Sequence, residues 1–163
     1  MLRLTLTAVA LCATAALAQD IAPAPNGITI PEGYKDWRVI SVSERTDNET
    51  LRAIVGNDVA IEAMRAGETN PWPDGAILGK IVYAQGEDEN WPTAIVPKEF
   101  RAAEFMIKDA TQYADTAGWG WARWLGMDQT PFGENAEFAA DCVACHEPVA
   151  ANDYVFTHPV LMP

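Results

Sequence analysis

Cys142-Val143-Ala144-Cys145-His146 decides how this chain is read, and only residues 147–163 follow it. Two thiols three positions apart lie about one helical turn from each other. The imidazole of the next residue can reach a metal from the same side. This C-x-x-C-H spacing is what covalent haem attachment requires: each thiol adds to one vinyl group, and the His binds the iron. A structural disulfide or half of a zinc site would draw on the same residues. A zinc site needs more ligands, and His158 is the only other His. The reading adopted is one haem c, attached through Cys142 and Cys145 and ligated by His146.

The position of the motif narrows the fold. In small electron-carrier cytochromes the attachment site lies near the N-terminus, and a Met far downstream is the second axial ligand. Here Met162 is the only Met after the motif. Met64, Met106 and Met127 precede it and read as core or loop filling. His158, between Thr157 and Pro159, is poorly placed to reach the opposite face of the iron. A five-coordinate iron, open on its distal side, follows. The four-helix cytochromes c′ also carry a C-terminal C-x-x-C-H. Eleven Pro, eleven Gly and short, strand-like apolar stretches argue against a helical bundle.

At the other end, Arg3 and the apolar run Leu4 to Leu17 precede Ala16-Leu17-Ala18, an A-x-A cleavage site. Residues 1–18 read as a signal peptide, cleaved after Ala18, which sends the protein to the periplasm. The run is too short and too broken by Thr to span a membrane. Leu11 before Cys12 disfavours lipidation. Cleavage removes Cys12 and leaves the two haem-type cysteines. It also removes Arg3, taking the formal charge from −12 to −13. So acidic a surface argues against nucleic acid and anionic membrane. It suits a small cationic redox partner, though a solubilising surface is the plainer explanation.

Residues 19–30, with Pro23, Pro25 and Gly27, read as a flexible N-terminal arm, and residues 31–163 as one domain. Arg38 to Ser43 and Thr50 to Val55 are strand candidates around a turn at Thr46-Asp47-Asn48-Glu49. Asn57 or Asp58 caps a short helix, Val59 to Ala66, that stops at Gly67. Its apolar stripe is Val59, Ala60, Ala63 and Met64, with Ile61 off it. Asn70 to Gly75 is a loop. Ala76 to Ala84 (AILGKIVYA) is the most apolar strand, and Gly86 to Pro97 reads as a loop. Glu104 to Asp109 reads as a strand, with a helix running on from Lys98 as the alternative. Gly118 to Leu125 (GWGWARWL) is another strand. Trp119, Trp121 and Arg123 share one of its faces; Gly118, Gly120, Ala122 and Trp124 share the other. That nearly bare second face would let a flat haem come close, or would serve ordinary packing. Asn135 to Cys145 is a helix carrying the motif, and Asn152 to Thr157 a short extended end.

An ordered set of blocks then points to a family. PEGYKDWRVI (31–40), PWPDGAILGKIVYAQ (71–85), FMIKDA (105–110), GWGWARW (118–124) and CVACHEPVAANDYVFTHPV (142–160) occur in that order. Over roughly residues 31–163 the chain resembles cytochrome P-460 and its relative cytochrome c′-beta. The resemblance implies an α+β fold, mainly antiparallel sheet with flanking helices and a C-terminal helix carrying the attachment site. It implies a homodimer, His146 as proximal ligand, and an open or weakly occupied distal site. Cytochrome P-460 oxidises hydroxylamine with nitric oxide chemistry, and its haem carries an extra link to a Lys. Asp74-Gly75-Ala76-Ile77-Leu78-Gly79-Lys80 matches the Asp-Gly-x-x-x-x-Lys pattern of that Lys. The oxidase also uses a distal carboxylate as proton acceptor, which the sequence does not locate. Cytochrome c′-beta binds nitric oxide under an apolar cap.

Lys80 is therefore the candidate catalytic and haem-linking residue. Alternation puts it on one face with Leu78 and Val82. A charged amine between covered faces must be paired or deprotonated, and a desolvated amine is the better nucleophile. The plain alternative is a Lys guarding an edge strand. Three functions remain: a hydroxylamine or nitric oxide oxidoreductase, a nitric oxide or carbon monoxide binder, and an electron-transfer cytochrome. The enzyme is the slight preference because Lys80 is present, with a small redox protein as its electron partner.

Overall fold

Turns, loops and one helix separate the strands of residues 38–131, which pair in the order in which they occur along the chain. The structure, a computed structural model, describes residues 21–160. The predicted signal peptide, its cleavage site and Met162 lie outside the described residues. One antiparallel sheet contains β1 (Arg38–Arg45), β2 (Thr50–Gly56), β3 (Ile77–Glu87), β4 (Ile95–Lys108), β5 (Trp119–Leu125) and β6 (Thr130–Pro131), in that spatial order. Helix α1 (Asp58–Ala66) joins β2 to β3, and α2 (Phe138–His146) follows β6. This is the expected α+β fold. No described helix is long and apolar enough to cross a membrane.

The strands around the expected 86–97 loop run further than their apolar stretches. Pairing from Tyr83 with Phe100 to Glu87 with Ile95 extends β3 and β4 into it. The helical alternative from Lys98 is excluded, because residues 95–108 form one strand. Pro97 is tolerated there because β5 pairs only with Ala102–Lys108, so β4 has a free edge at Pro97. In α1, Asn57 caps as expected, its side chain accepting from the Ala60 amide at 3.0 Å. The buried stripe differs. Ile61 is buried and Val59 exposed, because Ala60 sits against Gly56, where an added Cβ would lie 3.0 Å from the Ala60 Cβ. At the C-terminus, residues Glu147–Asn152 form a 3₁₀ turn before the chain extends.

Each face of the sheet has its own core. On the first, Ile54, Leu78, Trp119 and Trp121 pack with Ile61 of α1 and with Val155. On the second, Phe105, Ala122 and Trp124 pack with Ala24 and Ile28. Full burial of side chains such as Trp124 and Phe105 stabilises by roughly 1.5–3 kcal/mol each. The described part of the predicted flexible arm is thus a packed layer. Ala24 and Ile28 are buried, Trp124 Nε1 donates to the Ala22 carbonyl at 2.9 Å, and Asn26 Nδ2 donates to the Trp121 carbonyl at 2.8 Å. Pro and Gly set that segment's local conformation; what it lies against is a tertiary matter.

Candidate functional site

Helix α2 sets two cysteines and a His beside β5, with His146 against Trp121. It is seated through Phe138 and Ala139, both buried. Cys142 is half-buried and Cys145 exposed, and both are free thiols. Burial pushes the Cys142 thiol up to about 11; the Glu104 carboxylate adds to the rise and Arg123 opposes it.

His146 closes the helix. Its Nδ1 lies 2.7 Å from the Tyr154 carbonyl oxygen. A carbonyl can only accept, so Nδ1 carries the proton and Nε2 keeps its lone pair. The ring stands between Trp121, 4.7 Å away between centroids, and Phe156, at 5.0 Å. Burial pushes its pKa down; the Tyr154 carbonyl pulls it back up, while Lys80 lowers and Glu104 raises it. A neutral imidazole with one nitrogen tied and the other free has the donor state of a metal ligand.

On the face of the sheet that carries Trp121 lies a row of side chains that only the strand register assembles. Ile54 of β2 pairs with Lys80 of β3, Lys80 with Glu104 of β4, and Glu104 with Arg123 of β5. Lys80 Nζ is 2.6 Å from Glu104 Oε2. Arg123 Nε lies 3.5 Å from Glu104 Oε1, an ionic contact rather than a hydrogen bond, and its guanidinium rests on Phe132. Lys80 shares its face with Leu78 and Val82, as alternation requires. It does not guard an edge, because β3 is flanked by β2 and β4. The row shares its face of the sheet with Trp121, the ring that packs on His146, so the row and the motif lie on the same side of the sheet.

The bare face of β5 is not part of this site. Trp121, against His146, belongs to the other face. A Cβ at Gly120 would meet Tyr113 at 2.5 Å and Ile28 at 3.0 Å, so the glycine admits those side chains. A cavity of about 400 Å³ lies on that side, lined by Asn26, Ile28 and Tyr113 among others. It involves none of Cys142, Cys145, His146 and Lys80.

The residues present fit a haem. Two thiols one turn apart and an imidazole with Nδ1 tied to a carbonyl have the chemistry that would attach and ligate one. Arg52 and Arg123 each have a buried Nε without a hydrogen-bond partner among the described residues, suited to carboxylate side groups. Among the described residues no group of three or more His, Cys, Asp or Glu is placed to hold a metal ion. The sequence reading named Cys142, Cys145, His146 and Lys80 as candidates. It missed Glu104, Arg123, Arg52 and the Tyr154 carbonyl. Glu104 and Arg123 acquire meaning only through their cross-strand neighbours.

A family model described as Cytochrome P460 matches residues 31–157. No curated protein matches the chain.

Proposed function

Because the chain belongs to the cytochrome P460 family, we propose that it oxidises hydroxylamine with nitric oxide chemistry at a single covalent haem. Membership supports a haem c-type cytochrome. In the proposal Cys142 and Cys145 form the thioether bonds, and His146 is the one strong protein ligand to a five-coordinate iron. Export to the periplasm with cleavage after Ala18, a homodimer, and a small redox protein as electron acceptor belong to the same reading. The acidic chain, with a formal charge of −12, would suit a cationic partner.

The Lys80–Glu104 pair carries the choice of reaction. Oxidising hydroxylamine to nitric oxide releases three electrons and three protons. When bound, the haem supplies the open coordination position and the one-electron chemistry. Glu104 is a carboxylate beside the site, at 25 % side-chain exposure and 2.6 Å from Lys80. It is suited to accept a proton that the substrate loses. Lys80 is the residue for a further link to the ring. Replacing one N–H and one ring C–H by a C–N bond releases two electrons and two protons. A peroxide would take them up and leave as two waters.

The test is turnover of the haem-loaded protein with hydroxylamine and a one-electron acceptor. Wild type is expected to turn over, and Glu104→Gln, nearly the same shape, to lose about a hundredfold in kcat at unchanged haem content. The wild-type haem peptide is expected to contain the Lys80 segment. Carbon monoxide binding without turnover would instead support the nitric oxide or carbon monoxide binder. That second reading is favoured by the apolar Ile54, Leu78, Val82 and Met106 around the pair.

A further inference from the structure

Outside the proposed ligand set, one buried ion pair is tied by the backbone to the carbonyl that His146 binds. Resting on the assignment of His146 as the iron's protein ligand, we propose that Lys108 and Asp153 are positioning residues. They hold the Tyr154 carbonyl against Nδ1 and thereby set the orientation and donor strength of the imidazole.

Lys108 ends β4 and is 6 % exposed, the one charged residue among those described that is buried outright. A buried ammonium is costly unless paired. Its partner is Asp153, with Nζ 2.7 Å from Oδ1 and the Asp153 side chain 10 % exposed. The ammonium also lies 4.8 Å from the centre of the Trp119 ring. The second carboxylate oxygen accepts from the Trp72 amide at 2.8 Å, and the Asp153 carbonyl accepts from Trp119 Nε1 at 2.9 Å. Three elements thus hold one residue of the C-terminal segment: the end of β4, the loop before β3, and the start of β5.

The backbone at that point needs holding. Asp153 and Tyr154 have φ of 49° and 63°, two successive non-glycine residues in the left-handed region. Both are strained there, because the Cβ crowds the following carbonyl oxygen. Such a conformation persists where the surroundings over-determine it. The product of this turn is the Tyr154 carbonyl, 2.7 Å from His146 Nδ1. In His-ligated metal sites the partner of the outer nitrogen fixes the ring and raises its basicity. The link from the pair to His146 runs through Nδ1, not Nε2.

A packing role alone would predict lost stability and nothing else, which makes the proposal testable. The midpoint potential and the ferrous iron–His stretching band are measured on haem-loaded wild type, Asp153→Asn, Lys108→Met and Ile61→Val. Ile61 is fully buried in α1 and serves as the control for destabilisation. Asp153→Asn and Lys108→Met are expected to raise the potential and to lower and broaden the band, because a weaker Nδ1–H···O bond makes a weaker donor. Ile61→Val is expected to move neither. Asp153→Asn is nearly isosteric and keeps an acceptor for the Trp72 amide, so it carries the test if Lys108→Met does not fold. Unchanged potential and band in the pair variants, at a stability loss like that of Ile61→Val, would overturn the proposal. Wild-type protein without haem on His146 would remove the functional reading as well. Haem on His146 with silent pair variants removes this inference alone.

Discussion

The two cysteines of the motif are chemically unequal before any haem is attached. Cys142 is half-buried beside Glu104 and its thiol is pushed up to about 11; Cys145 is exposed. At pH 8 a thiol of that pKa is thiolate in about one molecule in a thousand. In haem-free protein, iodoacetamide at pH 8 is therefore expected to label Cys145 at least roughly tenfold faster than Cys142, read by peptide mass spectrometry. Equal labelling would mean that α2 is not seated on the sheet in that state. The pair also illustrates the difference between a residue and its setting. Three-residue spacing makes both cysteines recognisable, while burial, which only packing creates, separates their reactivity.

Helix α1 is the element whose local and tertiary roles meet in one side chain. Asn57 Oδ1 accepts from the Ala60 amide, capping the helix, and from the Ile77 amide, the first residue of β3, each at 3.0 Å. Its Nδ2 donates to the Gly75 carbonyl at 2.8 Å. The cap is legible in sequence, from Asn before a short apolar stripe and Gly after it. The link to β3 is not, because it depends on how the intervening loop returns. Asn57→Ala is expected to cost about 2 kcal/mol, more than a simple cap, because it also leaves the strand amide and the loop carbonyl without partners. Asn57→Asp keeps the acceptor and loses only the donor, so it should cost about half as much. Urea denaturation of both variants checks this; an equal, small loss of a few tenths of a kcal/mol would leave Asn57 no role beyond an exposed cap.

On the scale of the whole molecule, each face of the sheet carries a core, and residues 21–37 provide much of the second through Ala24, Ile28, Tyr34 and Trp37. Deleting residues 21–30 takes Ala24 and Ile28 out of the second core and removes the Trp124–Ala22 bond. The deletion is expected to lower the urea midpoint by an amount equivalent to about 3 kcal/mol or more. An unchanged midpoint would return the segment to a dispensable arm. By itself the sequence determined what is local or covalent in nature: the C-x-x-C-H spacing, the alternation that puts Lys80 with Leu78 and Val82, the capped helix, and the excess of turns that rules out a bundle. Those features are written in neighbouring residues, so no knowledge of distant contacts is needed to read them. Only the tertiary structure decided which carboxylate stands beside Lys80, which face of β5 meets His146, and that a Pro- and Gly-containing segment is core. Each of these depends on the register between strands far apart in the chain. A shift of one residue would turn Glu104 to the other face and leave every local pattern unchanged.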